Sequence, residues 1–136
     1  MGKHAYLIIA HNEFYILEKL LKLIDDERND IYLHIDKKVK NFDFDYFEKI
    51  VKKSKIYFTP RISVNWGQDS QIKCELLMLK EATKSKYNYY HLLSGVDLPL
   101  KTQEQIHSFF DNCGHKEFVH FCYHHEVNDC IIDRVK

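Results

Sequence analysis

Polar groups that can bind a ligand follow an aromatic and aliphatic run near the middle of the chain. Tyr89–Leu93 is followed directly by Ser94-Gly95 and then, close behind, by Asp97. A hydroxyl, a carboxylate and free backbone groups are thus gathered where a strand is predicted to end, and open α/β sheets bind their ligands at such ends. The Asp97 carboxylate could bind the hydroxyls of a sugar, or it could hold the turn by accepting bonds from its own backbone.

A second carboxylate, Asp36, follows the apolar run Ile31–Ile35. At a strand end it is suited to accept hydrogen bonds from a nucleoside, through either the base or the ribose hydroxyls. The alternative is an ordinary strand-end carboxylate that pairs with Lys37 or Lys38. Residue type alone favours the ion pair, but the position at a strand end makes the two interpretations equal.

An aromatic and an imidazole side chain add to this set. The single tryptophan, Trp66, stands beside Gly67 with Ser70 just beyond. Its indole could stack on a sugar ring, but residue type alone favours a core side chain beneath a loop. His11, after the first apolar run, is a candidate general base, and the alternative is a polar residue that contacts the backbone ahead of a helix.

Two groups of residues resemble metal ligands, and neither predicts a metal site. Asp43-Phe44-Asp45 spells the DxD by which many sugar-nucleotide transferases hold a divalent cation, but it stands at the predicted start of a helix, where acidic residues cap backbone amides. A second group alternates as ligands on a strand would, yet its spacing matches no common zinc module: His120, Cys122, His124, His125 and Cys130. We therefore expect no metal and no other cofactor.

Apolar runs of strand length alternate with segments of helical periodicity along the chain. Strands separated by helices imply right-handed crossovers, so the predicted fold class is α/β, a mainly parallel sheet with flanking helices in one domain over residues 1–136. The predicted strands are Tyr6–Ala10, Ile31–Ile35, Ile56–Phe58, Tyr89–Leu93 and Glu117–Tyr123. The predicted helices follow an N-cap at Asn12, cover Asp43–Ser54 and Asp69–Ser85, and begin at the capping box Thr102–Gln105.

The spacing of apolar residues assigns a buried face to each helix. In the first helix this face is Phe14, Leu17, Leu20, Leu21 and Ile24; in the second it is Phe44, Phe47, Ile50 and Val51; in the third it is Ile72, Leu76, Leu79 and Thr83.

The order of elements also predicts where the polar segments meet. Each of them follows the carboxyl end of a strand: His11-Asn12, Asp36-Lys37, Thr59–Trp66 and Ser94–Asp97. Because the carboxyl ends of parallel strands lie along one edge of a sheet, the four segments should converge on one crevice. The sequence therefore predicts a ligand site at this edge.

The composition excludes several classes of function. The chain has 136 residues, a formal net charge of +0 and four glycines. A neutral chain offers no field to hold a nucleic acid, and neither a GxxxxGK[ST] nor a GxGxxG loop is present to grip phosphates. No apolar run approaches the roughly 20 residues of a transmembrane helix, and Met1–His4 leaves no room for a signal peptide. Without CxxC pairs, the four cysteines are expected to be free thiols of a cytoplasmic protein.

Four blocks of the sequence, in order, resemble the core-2/I-branching N-acetylglucosaminyltransferases and their peptide xylosyltransferase relatives. The blocks are Ala5–Asn12, Leu33–Lys38, Val64-Asn65-Trp66-Gly67 with Ser70, and Ser94–Thr102. The third is similar to the Val-x-Trp-Gly-x-x-Ser pattern of that family. The fourth is similar to its Ser/Cys-Gly-x-Asp-(Phe/Leu/Tyr)-Pro-(Leu/Ile)-(Lys/Arg)-Thr motif.

The resemblance implies a GT-A-like, Rossmann-like fold and an inverting transfer of a sugar, N-acetylglucosamine or a related one, from a UDP-sugar to a glycan hydroxyl without a metal. Eukaryotic members of the family are Golgi membrane proteins, whereas this chain carries no predicted transmembrane segment. The positions that match the family's donor site are Ala10, His11, Asp36, Trp66, Gly67, Ser70, Ser94, Gly95 and Asp97.

The resemblance also places some functional groups elsewhere. The carboxylate that deprotonates the acceptor and the basic pair that faces the diphosphate are expected beyond the position matching Lys136, so this chain corresponds to the N-terminal, donor-binding part of the family. Apolar surface exposed by the missing part would favour self-association. The alternative function is a non-catalytic α/β module that binds a nucleotide or a protein.

Overall fold

The computed structural model describes residues 2–118, which form a parallel β-sheet with helices on both faces. The strands are β1 (His4–Ala10), β2 (Asn29–Ile35), β3 (Lys55–Phe58) and β4 (Tyr89–Ser94), and the helices are α1 (Phe14–Ile24), α2 (Phe44–Ile50), α3 (Asp69–Ala82) and α4 (Gln103–Asn112). The strand order is β3-β2-β1-β4, and each neighbouring pair is parallel. The predicted α/β class with a mainly parallel sheet is confirmed for these residues.

The most apolar runs of the sequence form the two central strands, β1 and β2. All residues of β2 and all but Ile9 in β1 are buried, as expected for strands with neighbours on both sides and helices above and below. Ala10 at the end of β1 pairs with Ile35 at the end of β2, and Ile9 pairs with Ser94 at the end of β4. This register places the carboxyl ends of three strands on one edge.

One face of the sheet packs against α1 and α2. Leu17, Leu20, Leu21 and Ile24 of α1 are fully buried, which confirms the predicted stripe, with Phe14 at its margin. In α2 only Phe47 is buried, and the other predicted inward residues pack around it while partly exposed. The sheet residues that they cover are Tyr6, Ile8, Ala10, Ile31, Leu33 and Ile35.

The other face packs against α3, and the buried side of this helix differs from the prediction. Cys74, Met78 and Ala82 are completely buried, together with Ala5, Leu7 and Tyr32 of the sheet. Ile72 and Leu76 are 61% and 60% exposed, and Leu79 and Thr83 are exposed as well. The prediction that Ile72, Leu76, Leu79 and Thr83 face the core is therefore wrong. The side of α3 that meets the sheet thus combines two small side chains, Cys74 and Ala82, with Met78, while Ile72, Leu76 and Leu79 remain on its flank.

Several predicted boundaries also need correction. Asn12 does not cap α1: the N-cap is Glu13, in a left-handed conformation with φ of 50° and no side-chain bond to the helix. β1 and β2 begin earlier than predicted, at His4 and Asn29, because these polar side chains are buried with partners. The side-chain Nδ2 of Asn29, for example, donates to the Ile24 carbonyl oxygen at 2.8 Å and to Gln103 Oε1 at 2.7 Å.

The helices α2 and α3 also end sooner than predicted, at Ile50 and Ala82. The starts of three helices are as predicted: α3 begins at Asp69, and α2 and α4 have the predicted caps. Thr102 and Gln105 form the capping box of α4, and the Asp43 carboxylate caps α2 by accepting from the Tyr46 amide at 2.9 Å.

Three histidines pack together far from the carboxyl ends of the strands. His91 Nε2 lies 3.0 Å from His4 Nδ1, and the rings of His4 and His107 are 4.1 Å apart at their centroids. His107 Nε2 bonds to Asn29 Oδ1 at 2.8 Å. Burial lowers the pKa of both His4 and His91 to about 4, so both imidazoles are neutral near neutral pH.

None of the helices formed by residues 2–118 is long and apolar enough to span a membrane. Cys74 and Cys113 are free thiols, as expected. Most of the predicted strand Glu117–Tyr123 lies outside the described residues. The group considered as zinc ligands also lies outside them: His120, Cys122, His124, His125 and Cys130.

Candidate functional site

A cleft of about 450 Å³ lies at the carboxyl ends of the strands, between the loops that follow them and the first turns of α3. Segments after β1, β2 and β3 and the end of β4 all contribute to it, so the predicted convergence is observed. The lining residues are Ile9, Ala10, His11, Asn12, Asp36, Lys38, Val39, Val64, Trp66, Gln71, Glu75, Leu92, Leu93, Ser94, Gly95 and Val96.

The structure brings most of the predicted site residues together. Six of them line the cleft: Ala10, His11, Asp36, Trp66, Ser94 and Gly95. Gly67, Ser70 and Asp97 do not line it. Gly67 and Ser70 shape the loop that carries Trp66, and Asp97 borders a neighbouring depression with Tyr6 and Phe110.

Asp36 is a buried carboxylate that connects two loops. Its Oδ1 accepts from the Lys38 amide at 2.8 Å, its Oδ2 accepts from the Val64 amide at 3.2 Å, and the Lys38 ammonium lies 3.8 Å from Oδ2. The lysine pairing considered from the sequence is therefore present, and the carboxylate still borders the cleft. Because a carboxylate has about four lone-pair sites, each oxygen keeps capacity to accept from a ligand.

Lys38 was missed as a site residue, although it follows Asp36 closely. Its ammonium donates to the Val64 carbonyl oxygen at 2.6 Å and to Asn65 Oδ1 at 3.1 Å, which ties the loop after β2 to the loop after β3. It is the one ammonium among residues 2–118 that borders the cleft. The sequence signal was only its place in the strand-end segment.

Arg61 fixes the backbone that carries Asp36. Its guanidinium donates to the carbonyl oxygens of Ile35 at 2.9 Å, Asp36 at 2.8 Å and Val39 at 2.7 Å. The same group lies 5.6 Å from the centre of the Phe44 ring. A planar fork of five N–H donors suits this task, and lysine could not reproduce it.

His34 holds the same two loops from beneath. Its Nε2 accepts from the Ile62 amide at 3.1 Å, which requires the neutral imidazole. Burial lowers the pKa of His34, so the neutral form is favoured. The adjacent Lys37 amide donates to the Ile62 carbonyl oxygen at 3.1 Å, and together these bonds fix the separation of the loops.

Trp66 is 69% exposed at the rim of the cleft, so it is not the core side chain of the alternative interpretation. Its ring centre lies 6.2 Å from that of His11, at an edge-to-face angle of 65°. Gly67 has φ of 72° with open space around it, a conformation that glycine adopts without strain. Ser70 Oγ accepts from the Asn65 amide at 2.8 Å and so closes the loop onto α3.

The turn after β4 is held by Asp97. Its Oδ2 accepts from the Ser94 amide at 2.8 Å, and its own amide donates to the Ser94 carbonyl oxygen at 3.2 Å. The turn-holding interpretation of Asp97 is therefore what the structure shows. Gly95, within this turn, approaches β1 so closely that an added Cβ would lie 2.5 Å from the Ala10 Cβ.

Gln71 and Glu75 of α3 also line the cleft and were not predicted. They were missed because the predicted buried face of α3, which contains Ile72 and Leu76, left Gln71 and Glu75 on the solvent side. The available signal was a second inward series at helical spacing, Gln71, Cys74, Glu75, Met78 and Ala82. Its polar members lie at the cleft end of the helix.

Within residues 2–118, no group of three or more histidine, cysteine, aspartate or glutamate side chains is placed to hold a metal ion. The Asp43-Phe44-Asp45 sequence, considered as a metal motif, lies at the start of α2 and not in the cleft. The charged groups that border the cleft are Asp36, Lys38 and Glu75, with His11 exposed at its margin.

The sequence of the chain is similar to those of known proteins. A sequence model of the family described as Core-2/I-Branching enzyme matches residues 4–135. The chain is similar to xylosyltransferase 2 of Rattus norvegicus and of Mus musculus, each 25% identical over 120 residues, and of Homo sapiens, 24% identical over 120 residues. Each alignment covers 85% of this chain and 14% of the relative, so the chain spans a small part of the length of these relatives. Since the family match extends over nearly all of the sequence, the chain belongs to the Core-2/I-branching enzyme family of glycosyltransferases.

Proposed function

We propose that the cleft binds a UDP-sugar and that the chain supplies the donor-binding part of an inverting glycosyltransferase. The sugar transferred is N-acetylglucosamine or a related sugar, and the acceptor is a glycan hydroxyl. The observation that carries this proposal is the meeting of Asp36, Trp66 and the Ala10-His11 strand end in one cleft of a chain from a glycosyltransferase family.

The inner part of the cleft suits a nucleoside. Val39, Val64 and Leu93 offer apolar surface to the flat face of a base. The remaining lone pairs of Asp36 can accept from the imide N–H of uracil or from ribose hydroxyls. Because Asp36 is already fixed by two backbone amides, little ordering is needed when the nucleoside binds.

Among residues 2–118, Lys38 is the one ammonium that borders the cleft, and the proposal places the diphosphate beside it. Its ammonium lies on the rim, 3.8 Å from the Asp36 carboxylate. One ammonium does not neutralise a diphosphate, so the proposal includes further basic groups from outside residues 2–118. Binding by basic side chains, in place of a DxD-bound metal, is the arrangement that we propose.

Two donor sugars are proposed for the cleft. Relatives at 24–25% identity are named xylosyltransferase 2, so xylose stands beside N-acetylglucosamine as a candidate. UDP-N-acetylglucosamine and UDP-xylose are therefore the two donors to compare.

Trp66 provides a direct test, since it is the only tryptophan of the chain and borders the cleft. We expect UDP and a UDP-sugar to change its fluorescence saturably and to give the same dissociation constant by calorimetry. We place the imide N–H of uracil against Asp36, so ADP, whose base presents no such group, should bind far more weakly. Absence of binding by UDP and both UDP-sugars, or equal binding of ADP, would contradict the proposal.

A variant of Asp36 makes this test specific. Asp36→Asn removes the charge while preserving shape, and loss of a charge-assisted hydrogen bond should weaken UDP binding about 10-fold or more. Asp45→Asn, on the exposed surface of α2, changes the net charge equally and should leave UDP binding unchanged. Release of UDP in the presence of acceptor sugars separates a transferase from a binding module without catalysis.

A further inference from the structure

Two polar side chains of α3, Gln71 and Glu75, face the cleft without a role in nucleoside binding. They are four positions apart and therefore lie one turn above the other on the same side of the helix. Both are half-buried. The same wall of the cleft carries Trp66, so an aromatic, an amide and a carboxylate border one region.

The Glu75 carboxylate has no cation near it on its own helix. The other acidic residues of α3 form ion pairs: Asp69 pairs with Lys73 of the same helix at 2.7 Å, and Glu81 pairs with Lys84, just beyond the end of the helix, at 2.7 Å. The neighbours of Glu75 at helical spacing carry no positive charge, being Gln71, Ile72, Met78 and Leu79.

In the part of the chain that the structure describes, Glu75 forms no ion pair, and a carboxylate of this kind restricts what can bind beside it. A diphosphate would be repelled, so the neighbouring part of the ligand must be neutral and must donate hydrogen bonds. Hydroxyl groups meet both conditions, and hydrogen bonds to an ionised acceptor are roughly twice as strong as neutral ones. Val64 and Leu92 line the same cleft and add apolar surface to it.

Gln71 and Trp66 complete the set. Gln71 Oε1 accepts from the Gly67 amide at 3.3 Å, which leaves the side-chain NH₂ group to donate to a ligand oxygen. The exposed indole of Trp66 offers a flat amphipathic surface to the C–H face of a sugar ring. A carboxylate acceptor, an amide donor and an aromatic platform together match a pyranose.

We propose that Trp66, Gln71 and Glu75 bind the sugar moiety of the donor, and that Glu75 selects among sugars by accepting hydrogen bonds from ring hydroxyls. This rests on the proposed function, because the sugar enters the cleft attached to UDP. A site built to bond a hydroxyl rejects sugars that lack it, since the buried acceptor is then left unpaired.

The test compares dissociation constants of UDP, UDP-N-acetylglucosamine and UDP-xylose for the wild-type chain, Glu75→Gln and Glu75→Ala. The wild type should bind one UDP-sugar more tightly than UDP. In Glu75→Ala this preference should fall about 10-fold or more, while UDP itself binds within about twofold of wild type. Glu75→Gln keeps a neutral acceptor of the same shape and should give an intermediate preference.

Glu48→Gln serves as the matched control, because Glu48 is exposed on α2 and does not border the cleft. It should leave all three dissociation constants unchanged. Thermal unfolding of each variant verifies that the half-buried Glu75 is not needed for folding.

The possible failures are distinguishable. A wild-type chain that binds no UDP overturns the proposed function and this inference together. A wild type that binds UDP but has no preference for any UDP-sugar overturns only the inference. The inference alone is also overturned if Glu75→Ala keeps the wild-type preference for a UDP-sugar over UDP. The same holds if its affinities for UDP and for UDP-sugars fall equally.

Discussion

The two strand-end carboxylates show that one residue type in one kind of position can do different work. Asp36 is buried and bonds to amides of two different loops, so it links the ends of β2 and β3 while it borders the cleft. Asp97 is exposed and bonds to the amide of Ser94 within its own turn. The difference lies in what comes near each carboxylate in space, which the local sequence does not show.

Gly95 is required by the close approach of two strands, and not by a left-handed backbone. Its amide donates to the Ile9 carbonyl oxygen at 2.8 Å, which brings the end of β4 against β1. An added Cβ would lie 2.5 Å from the Ala10 Cβ and 3.2 Å from the Ala10 Cα, atoms that cannot move without the strand.

We therefore expect Gly95→Ala to lower the free energy of unfolding by about 1–3 kcal/mol, as overpacking does. It should also weaken UDP binding, because Ala10 and Gly95 both line the cleft. Urea unfolding and Trp66 fluorescence measure the two effects.

A second substitution at Ala10 checks the cause. Ala10→Gly in the Gly95→Ala background removes the clashing methyl, so the double variant should be more stable than Gly95→Ala alone. Strictly additive losses in the double-mutant cycle would show that the contact is not the reason.

Among the elements, α3 connects the core to the cleft. The residues that face inward change character along the helix, from Gln71 and Glu75 at the cleft to Met78 and Ala82 in the core. A purely apolar stripe was therefore the wrong guide to its orientation. Ile72, Leu76 and Leu79 form an exposed apolar flank on α3. Self-association of the chain through exposed apolar surface stays a prediction.

The orientation of α3 can be tested by a matched pair of substitutions. Met78→Ala should lower the free energy of unfolding by about 2–5 kcal/mol, because Met78 is completely buried. Ile72→Gln should change it by no more than about 0.5 kcal/mol, because Ile72 is 61% exposed and glutamine has a similar helix propensity. Chemical denaturation measures both, and the reverse order of effects would restore the orientation inferred from the sequence.

At the scale of the whole described molecule, the cluster of His4, His91 and His107 lies away from the cleft and joins three strands of the sheet to α4. His4 belongs to β1, His91 to β4 and His107 to α4, and His107 bonds to Asn29 of β2. Burial is the main cause of the lowered pKa of each of the three histidines. Folding therefore holds them neutral at pH values where the unfolded chain binds protons.

The sign of the resulting pH dependence follows from the pKa values. The pKa of His4 and of His91 falls from 6.5 to about 4 on folding, so the unfolded state binds more protons within that range. The contribution of these histidines to the free energy of unfolding should be complete above pH 6.5. It should decrease as the pH is lowered towards 4, by up to about 1.4 kcal/mol per pH unit for each histidine.

Urea unfolding across this pH range measures the effect. His91→Phe keeps a ring beside Tyr6 and Phe110 but removes one titrating group, so it should reduce the slope. A wild type equally stable throughout the range would refute the prediction.

The order of elements and the location of the cleft were predictable because they depend on local pattern. Continuous apolar runs identified β1 and β2, the stripe Leu17–Ile24 identified α1, and the parallel arrangement then placed the strand ends on one edge. The starts of β1 and β2 were missed because the burial of His4 and Asn29 depends on partners distant in sequence.

What the sequence determined by itself is therefore the α/β order and the strand ends, and with them the edge of the sheet at which Asp36 and Trp66 lie. The tertiary structure alone decided which side of α3 faces the sheet, that Asp97 holds its own turn, and that Arg61, Lys38 and Glu75 border or support the cleft. The physical reason is that periodicity reports which residues share a face, whereas packing against distant segments decides which face is buried and which polar groups meet.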